Sequence, residues 1–259
     1  MKKIVTAAQV GPDDDVIEIG PGIGALTEQL AKKAHQVLAL EIDERLLPVL
    51  AETLSPYPNV EVVHQDILKA DLKSLIANHF DGKHHLKIVA NLPYYITTPI
   101  IMHLLETEID FEQIVVMMQK EVAERLAATP GSKDYGSLSI GVQYEMDCQI
   151  AFIVPKTVFV PQPKVDSAII SLTKKHEREM QPRDEKFFHQ LVRGAFMHRR
   201  KSLWNNLQGL YGKETTTKEK LTQALTQAEI APSIRAERLT IADFIRLADS
   251  LLAIGVKVK

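Results

Sequence analysis

The sequence predicts an α/β protein: a mostly parallel sheet with helices on both faces, followed by a small all-helical domain. Three observations carry this. Short apolar runs alternate with helical stretches from residue 16 to about residue 172, and the first run breaks into a glycine turn that leads directly into a helix. From residue 183 onward only helical periodicity remains.

In chain order, residues 2–10 read as the end of a helix with Ile4, Val5 and Ala8 on one face, cut by Gly11 and Pro12. Residues 16–19 form a short buried strand, Gly20-Pro21-Gly22-Ile23-Gly24 is the turn, and Leu26 and Leu30 mark the helix after it. Residues 36–41 (QVLALE) are the second strand, followed by a helix over 43–54 and a breaker cluster, Ser55-Pro56-Tyr57-Pro58-Asn59. Residues 60–63, a helix over 71–79, and 86–90 supply the third strand, its helix and the fourth strand. Thr98 and Pro99 are placed to open the next helix as N-cap and N1. Residues 113–118 (QIVVMM) make a fifth buried strand and 121–128 a helix, whereas 133–147 carry no clear period. Residues 151–154 and 165–172 close the set of seven strands around a proline-rich link, 155–163. Charge clusters and a proline between 175 and 183 mark a boundary, giving domains 1–178 and 179–259.

The bulk numbers exclude several classes. The chain has 259 residues, 45% hydrophobic and 25% charged, as in an ordinary globular protein. A single cysteine, Cys148, rules out an internal disulfide framework. No apolar run approaches the ~18 residues of a membrane span, and the stretch after Lys2 and Lys3 is too brief and polar for a secretory leader. A cytoplasmic protein that does not engage a membrane is expected. The net charge of −2 is unevenly placed: residues 1–110 hold 9 Lys and Arg against 16 Asp and Glu, and residues 111–259 hold 22 against 17. The second half is therefore the side expected to touch phosphates.

In a sheet of this kind ligands bind at the carboxyl ends of the strands. Glu18 to Gly24, Glu41, Asp66 and Asn91 all fall at such ends. The glycine turn fits two nucleotide patterns, since Gly20-x-Gly22-x-Gly24 suits S-adenosylmethionine and Gly20-x-Gly22-x-x-Ala25 satisfies the dinucleotide fingerprint. Either way Glu41 is positioned to accept from both ribose hydroxyls. Glu18 suits the ammonium of a methionine moiety and would repel a pyrophosphate, which favours S-adenosylmethionine over NAD. Asp66 is placed to accept from the cofactor's adenine amino group, and Ile42 and Ile67, each following one of these acids, join the cofactor set. Alternatively, Glu41 pairs with a basic surface residue and Asp66 caps a helix or turn.

The fourth strand ends in Asn91-Leu92-Pro93-Tyr94. Pro93 biases Leu92 toward extended backbone, so the Asn91 amide and the Leu92 carbonyl are held as two acceptors in one bend, with the Tyr94 ring beside them. A flat base with an exocyclic amino group fits that offer, and the arrangement suits methylation of adenine N6. Alone, the tetrapeptide is equally compatible with an ordinary turn. The histidines lack metal-ligand spacing and the only thiol is isolated, so no metal is expected.

With these residues in place the chain resembles the ribosomal RNA adenine N6,N6-dimethyltransferases, most closely their small-subunit branch. The stretches that carry the resemblance are Glu18-Ile-Gly-Pro-Gly-Ile-Gly24, Glu41-Ile-Asp43, Gln65-Asp66, Asn91-Leu-Pro-Tyr94, Gln119-Lys-Glu-Val-Ala-Glu-Arg125, Tyr135-Gly-Ser-Leu-Ser139, Phe159-Val-Pro-Gln-Pro-Lys-Val-Asp-Ser167 and His198-Arg-Arg-Lys-Ser202. The resemblance implies a class I methyltransferase (Rossmann-like), mostly parallel seven-stranded sheet. It implies a monomer that uses S-adenosylmethionine to dimethylate two adjacent adenines in the 3′ helix of small-subunit rRNA, on a 30S-type assembly intermediate. By similarity Phe159 flanks the target adenine opposite Tyr94, unless it serves as core between domains. Lys120, Arg125, Lys133, Arg199, Arg200 and Lys201 are the expected RNA-binding set. The family normally carries an upstream basic segment ending in Gly-Gln-Asn-Phe-Leu that covers the cofactor; this chain starts after it, and residues 1–259 alone are expected to bind the cofactor weakly. A large-subunit rRNA methyltransferase of the macrolide-resistance type and a non-catalytic ribosome-assembly factor are the competing readings.

Overall fold

The computed structural model describes residues 1–107 and 109–256. The elements in order are α1 (Lys2–Ala7), β1 (Asp14–Ile19), α2 (Thr27–Ala31), β2 (Gln36–Glu41), α3 (Leu47–Thr53), β3 (Val60–His64), α4 (Leu72–His79), β4 (His85–Asn91), α5 (Tyr94–Glu106), β5 (Gln113–Gln119), α6 (Lys120–Leu126), α7 (Ser137–Glu145), β6 (Met146–Val154), β7 (Ser167–Lys174), α8 (Glu185–Ala195), α9 (Leu203–Tyr211), α10 (Thr215–Gln227) and α11 (Ile241–Ala253). Among the described residues, no helix is long and apolar enough to cross a membrane.

Seven strands form one sheet in the order β3-β2-β1-β4-β5-β7-β6. The pairs β3-β2, β2-β1, β1-β4 and β4-β5 are parallel, and β7 runs antiparallel between β5 and β6. The chain moves outward from β1 through β2 to β3 and then returns to lay β4 on the other side of β1. That reversal opens a crevice at the carboxyl ends of β1 and β4. The central strands read as apolar runs because both faces are covered. On one face Ile4, Val5 and Ala8 of the N-terminal segment pack with Val16, Val89, Val115 and Ile169.

The chain divides into two units, 1–123 with 146–174, and 124–145 with 175–259. The boundary expected at 178/179 thus lies slightly past β7, and a segment from the middle of the chain joins the helical unit. That segment contains α7, whose residues show no clear period: Ser139, Ile140, Val142 and Tyr144 are buried, but glycine, serine and β-branched residues blur the helical pattern. The second unit is otherwise built from α8 to α11 around Phe188, Leu191, Leu207, Leu225, Phe244 and Leu251. The last three residues of the expected domain 179–259 lie outside the described residues.

The two largest differences in element boundaries from expectation have local reasons. β6 starts at Met146 rather than 151, because as an edge strand it alternates buried and exposed positions and carries Asp147 and Gln149 on the open side. α5 starts at Tyr94, so Thr98 and Pro99 do not open it. Pro93, with φ −57° and ψ 137°, is its N-cap and Pro99 lies inside the helix, at the cost of one intrahelical hydrogen bond.

At the amino end of the sheet Lys87 Nζ lies 3.0 Å from Asp14 Oδ2 and donates to the Gln9 carbonyl, with both ion-pair side chains 7% exposed. Removing one partner strands a buried charge, so Lys87→Met is expected to lose about 3 kcal/mol of unfolding free energy. Denaturant unfolding checks this, and Lys87→Met with Asp14→Leu should recover much of the loss.

Candidate active site

All six residues of β1 are buried, and three of them are acidic. Asp14 has Lys87, and Asp15 Oδ1 lies 2.8 Å from His35 Nδ1. Glu18, at the carboxyl end, is different: it is 1% exposed and its Oε2 has no hydrogen-bond partner among the described residues. Burial pushes its carboxyl up from 4.5 to about 8; the adjacent Thr27 hydroxyl partly opposes this and the Glu41 carboxylate adds to it. A buried acid with an unused oxygen at the ligand end of a parallel sheet is the signature of a site for a cationic group.

The glycine turn follows directly. Gly20 N donates to Leu40 O across 2.9 Å, fastening the turn to the end of β2. Gly22 has φ +60° and open space where a Cβ would stand, so a ligand can approach its backbone. Gly24 has φ +88°, and a Cβ there would meet Leu54 at 3.2 Å. Glu41 ends β2, buried at 4% exposure, with Oε2 accepting from Gly22 N at 3.2 Å and Oε1 from Asp43 N at 2.8 Å. It is therefore not a surface ion-pair residue. Each oxygen keeps a further lone pair for ligand hydroxyls.

Asp66 follows β3. Its Oδ1 accepts from Leu68 N at 3.0 Å and its Oδ2 lies 3.6 Å from Lys69 Nζ, so the turn-capping role is realised here. Ile42 is 62% exposed and Ile67 is buried.

Asn91 ends β4 opposite Met117 of β5. Leu92 is buried, and its Cδ2 lies 3.5 Å from the position a Cβ on Gly20 would take, so the two motifs adjoin. Asn91, Leu92, Pro93 and Tyr94 line an open pocket of ≈ 300 Å³ together with Met117, Phe159, Pro161 and Pro163. Phe159 also packs against the sheet-side cluster. The Tyr94 hydroxyl lies 2.7 Å from Ser167 Oγ. Met117, Pro161, Pro163 and Ser167 were not identified from the sequence as site residues. Met117 is hidden in an apolar strand, and only its register against Asn91 reveals it.

The expected RNA-binding residues are not equivalent. Lys120 is half-buried at the start of α6, and Arg125 and Lys133 are exposed. In the helical unit Arg199 Nε donates to Glu237 Oε2 at 3.1 Å, and its NH2 donates to the Lys133 carbonyl, so this guanidinium holds two loops together. Arg200 and Lys201 are exposed in the turn between α8 and α9. The buried Asn206 fastens that turn through His198 N at 3.1 Å and His198 O at 3.2 Å. Among the described residues no group of three or more His, Cys, Asp or Glu side chains is placed to hold a metal ion.

The ribosomal RNA adenine dimethylase family matches residues 1–252. The chain is 73% identical over 256 residues to ribosomal RNA small subunit methyltransferase A of Ligilactobacillus salivarius, which covers 99% of this chain and 86% of that relative. It is similar to the crystal structure of a dimethyladenosine transferase from Plasmodium falciparum, with TM-score 0.80 and 28% identity, over 98% of this chain and 95% of that one. The structure of the 23S rRNA methyltransferase ErmE matches with TM-score 0.71 and 28% identity, over 96% of each chain.

Glu18 makes stability depend on pH in a defined direction. Unfolded, it loses its proton near 4.5; folded, it keeps it to about 8. Its contribution is full below the first value and is lost as pH rises to the second. The unfolding free energy of wild type minus that of Glu18→Gln should therefore decline across this window and level off above it, as measured by denaturant titration at several pH values.

Proposed function

The chain belongs to the ribosomal RNA adenine dimethylase family, and on that premise we propose how its crevice and pocket divide the work of methyl transfer. It is an S-adenosylmethionine-dependent rRNA adenine N6,N6-dimethyltransferase. Our reading of the substrate is two adjacent adenines in the 3′ terminal helix of small-subunit rRNA. On this reading the protein acts as a cytoplasmic monomer on an assembling small subunit. Identity of 73% to a small-subunit enzyme favours this over the large-subunit alternative, which the likeness to ErmE keeps in view.

The cofactor's fit rests on Glu18. Its buried, unpartnered oxygen would take the methionine ammonium, which would also restore the carboxylate's charge. The free lone pairs of Glu41 would accept from the ribose hydroxyls, and the open side of Gly22 leaves room for the chain between them. Asp66 would serve the adenine amino group with the oxygen not bonded to Leu68, and Ile42 and Ile67 the adenine faces. When bound, S-adenosylmethionine supplies a methyl group on a positively charged sulfur, from which it transfers readily.

What is lacking is a good nucleophile, because the N6 lone pair is delocalised into the adenine ring. Asn91 Oδ1 and the Leu92 carbonyl would accept from the amino group and favour a pyramidal nitrogen, with its lone pair turned toward the crevice beside Gly20. On accepting the methyl, with the bonding pair of the broken bond left on the donor's sulfur, the nitrogen would release a proton to water, so the chain need supply no base. Tyr94 and Phe159 would hold the flipped base between them. The observation that carries this reading is that Asn91, Tyr94 and Phe159 line one pocket at the carboxyl ends of β4 and β5. Arg125, Lys133, Arg200 and Lys201 are proposed to meet RNA phosphates, with Lys120 and Arg199 in mainly structural roles.

Mass mapping of adenines after incubation with unmethylated small subunits tests the assignment. Asn91→Ala should lower single-turnover transfer by about a hundredfold or more while S-adenosylhomocysteine affinity changes little, since Asn91 orients the base more than the cofactor. Undiminished transfer by that variant would refute the role.

A further inference from the structure

The walls of the base pocket come from distant parts of the chain, and one side-chain hydrogen bond joins them. Tyr94 stands at the start of α5, and its hydroxyl lies 2.7 Å from Ser167 Oγ. Ser167 is fully buried as the first residue of β7, paired with Gln119 on β5 and Val154 on β6, so it is fixed by a strand on each side. The residue before it closes the loop that carries Phe159. Asp166 Oδ1 accepts from Lys156 N at 3.0 Å, and the Asp166 carbonyl accepts from Lys120 N at 3.0 Å. Phe159, Pro161 and Pro163 of this closed loop line the same pocket as the Asn91–Tyr94 bend.

We propose that Ser167 is a positioning residue that sets the width of the base slot by anchoring the Tyr94 hydroxyl to the foot of the Phe159 loop. This rests on the reading of the pocket given above. Swinging the Tyr94 side chain about its Cα–Cβ bond would carry the hydroxyl away and leave a buried serine hydroxyl unsatisfied, so the far end of the ring is held in place. The consequence differs between the two methyl transfers. Adenine offers two N6–H donors to Asn91 and Leu92, so hydrogen bonds alone can orient it. N6-methyladenine offers only one, and its orientation must come from the ring walls. A loosened slot therefore penalises the second transfer more than the first, and the Ser167–Tyr94 bond acts as a determinant of dimethylation over monomethylation.

The test compares Ser167→Ala, Tyr94→Phe, the two together, and Asn91→Ala on unmethylated small subunits, following mono- and dimethyladenosine by mass spectrometry. Tyr94→Phe keeps the ring and leaves the sheet untouched, so it decides the matter even where Ser167→Ala folds poorly. Each single variant is expected to slow the second transfer about tenfold more than the first, and the double variant should be no worse than either, as for two partners of one interaction. S-adenosylhomocysteine affinity should stay near wild type, while the thermal midpoint of Tyr94→Phe should fall by a few degrees because the buried Ser167 hydroxyl loses its partner. Equal slowing of both transfers, an unchanged product ratio, or additive losses would overturn the proposal while Asn91→Ala remains inactive. Full transfer by Asn91→Ala would instead bring down the pocket reading itself, and this inference with it.

Discussion

The parallel pairing of β4 against β1 is the constraint on which the rest depends. Its register, with Ile19 beside Ala90, brings the glycine turn and the Asn91 bend to the same edge of the sheet. A shift of one residue would turn every side chain of β4 to the other face. At the opposite end the buried Lys87–Asp14 pair joins the same two strands and also holds the Gln9 carbonyl. Such a pair contributes little net stability against an apolar substitute, but an unpaired buried charge is costly, so a register that separated the two would be penalised.

The same strand supports the proposed place of the cofactor. Of the three buried acids on β1, the two at the amino end pair with Lys87 and His35, whereas Glu18 Oε2 at the carboxyl end has no hydrogen-bond partner among the described residues. Folding thus leaves a protonated Glu18 next to an open glycine turn and a Glu41 already oriented by two backbone donors. On the proposed reading, binding a cation there would offset the desolvation of the buried acid and so couple recognition of the methionine end to the ionisation of Glu18. The site is preorganised in its hydrogen bonds, and its buried acid is kept neutral.

Features whose chemistry is local were legible in the sequence. The glycine turn, Glu41 and the Asn91-Leu92-Pro93-Tyr94 bend declare themselves within a few residues, and the apolar strands needed only their length and rhythm. What the sequence hid is non-local. Met117 looks like any other apolar strand residue until strand pairing sets it against Asn91. Ser167 is an ordinary serine until the fold brings it to Tyr94. Arg199 belongs to a basic run that reads as one phosphate-binding unit, yet Glu237 and the Lys133 carbonyl occupy its guanidinium. Pro99 misplaced the start of α5 because Pro93, extended and acting as N-cap, launches the helix a turn earlier.

The central claim is that Glu18 is held protonated for a cationic ligand, and proton-linked calorimetry tests it most directly. S-adenosylhomocysteine would be titrated into the protein near neutral pH in two buffers of different ionisation enthalpy. Below about 8 Glu18 carries a proton in the free protein, so binding of the ammonium should release one to the buffer, and Glu18→Gln should abolish that release. Heats that do not depend on the buffer, or that depend on it equally in wild type and variant, would contradict the account.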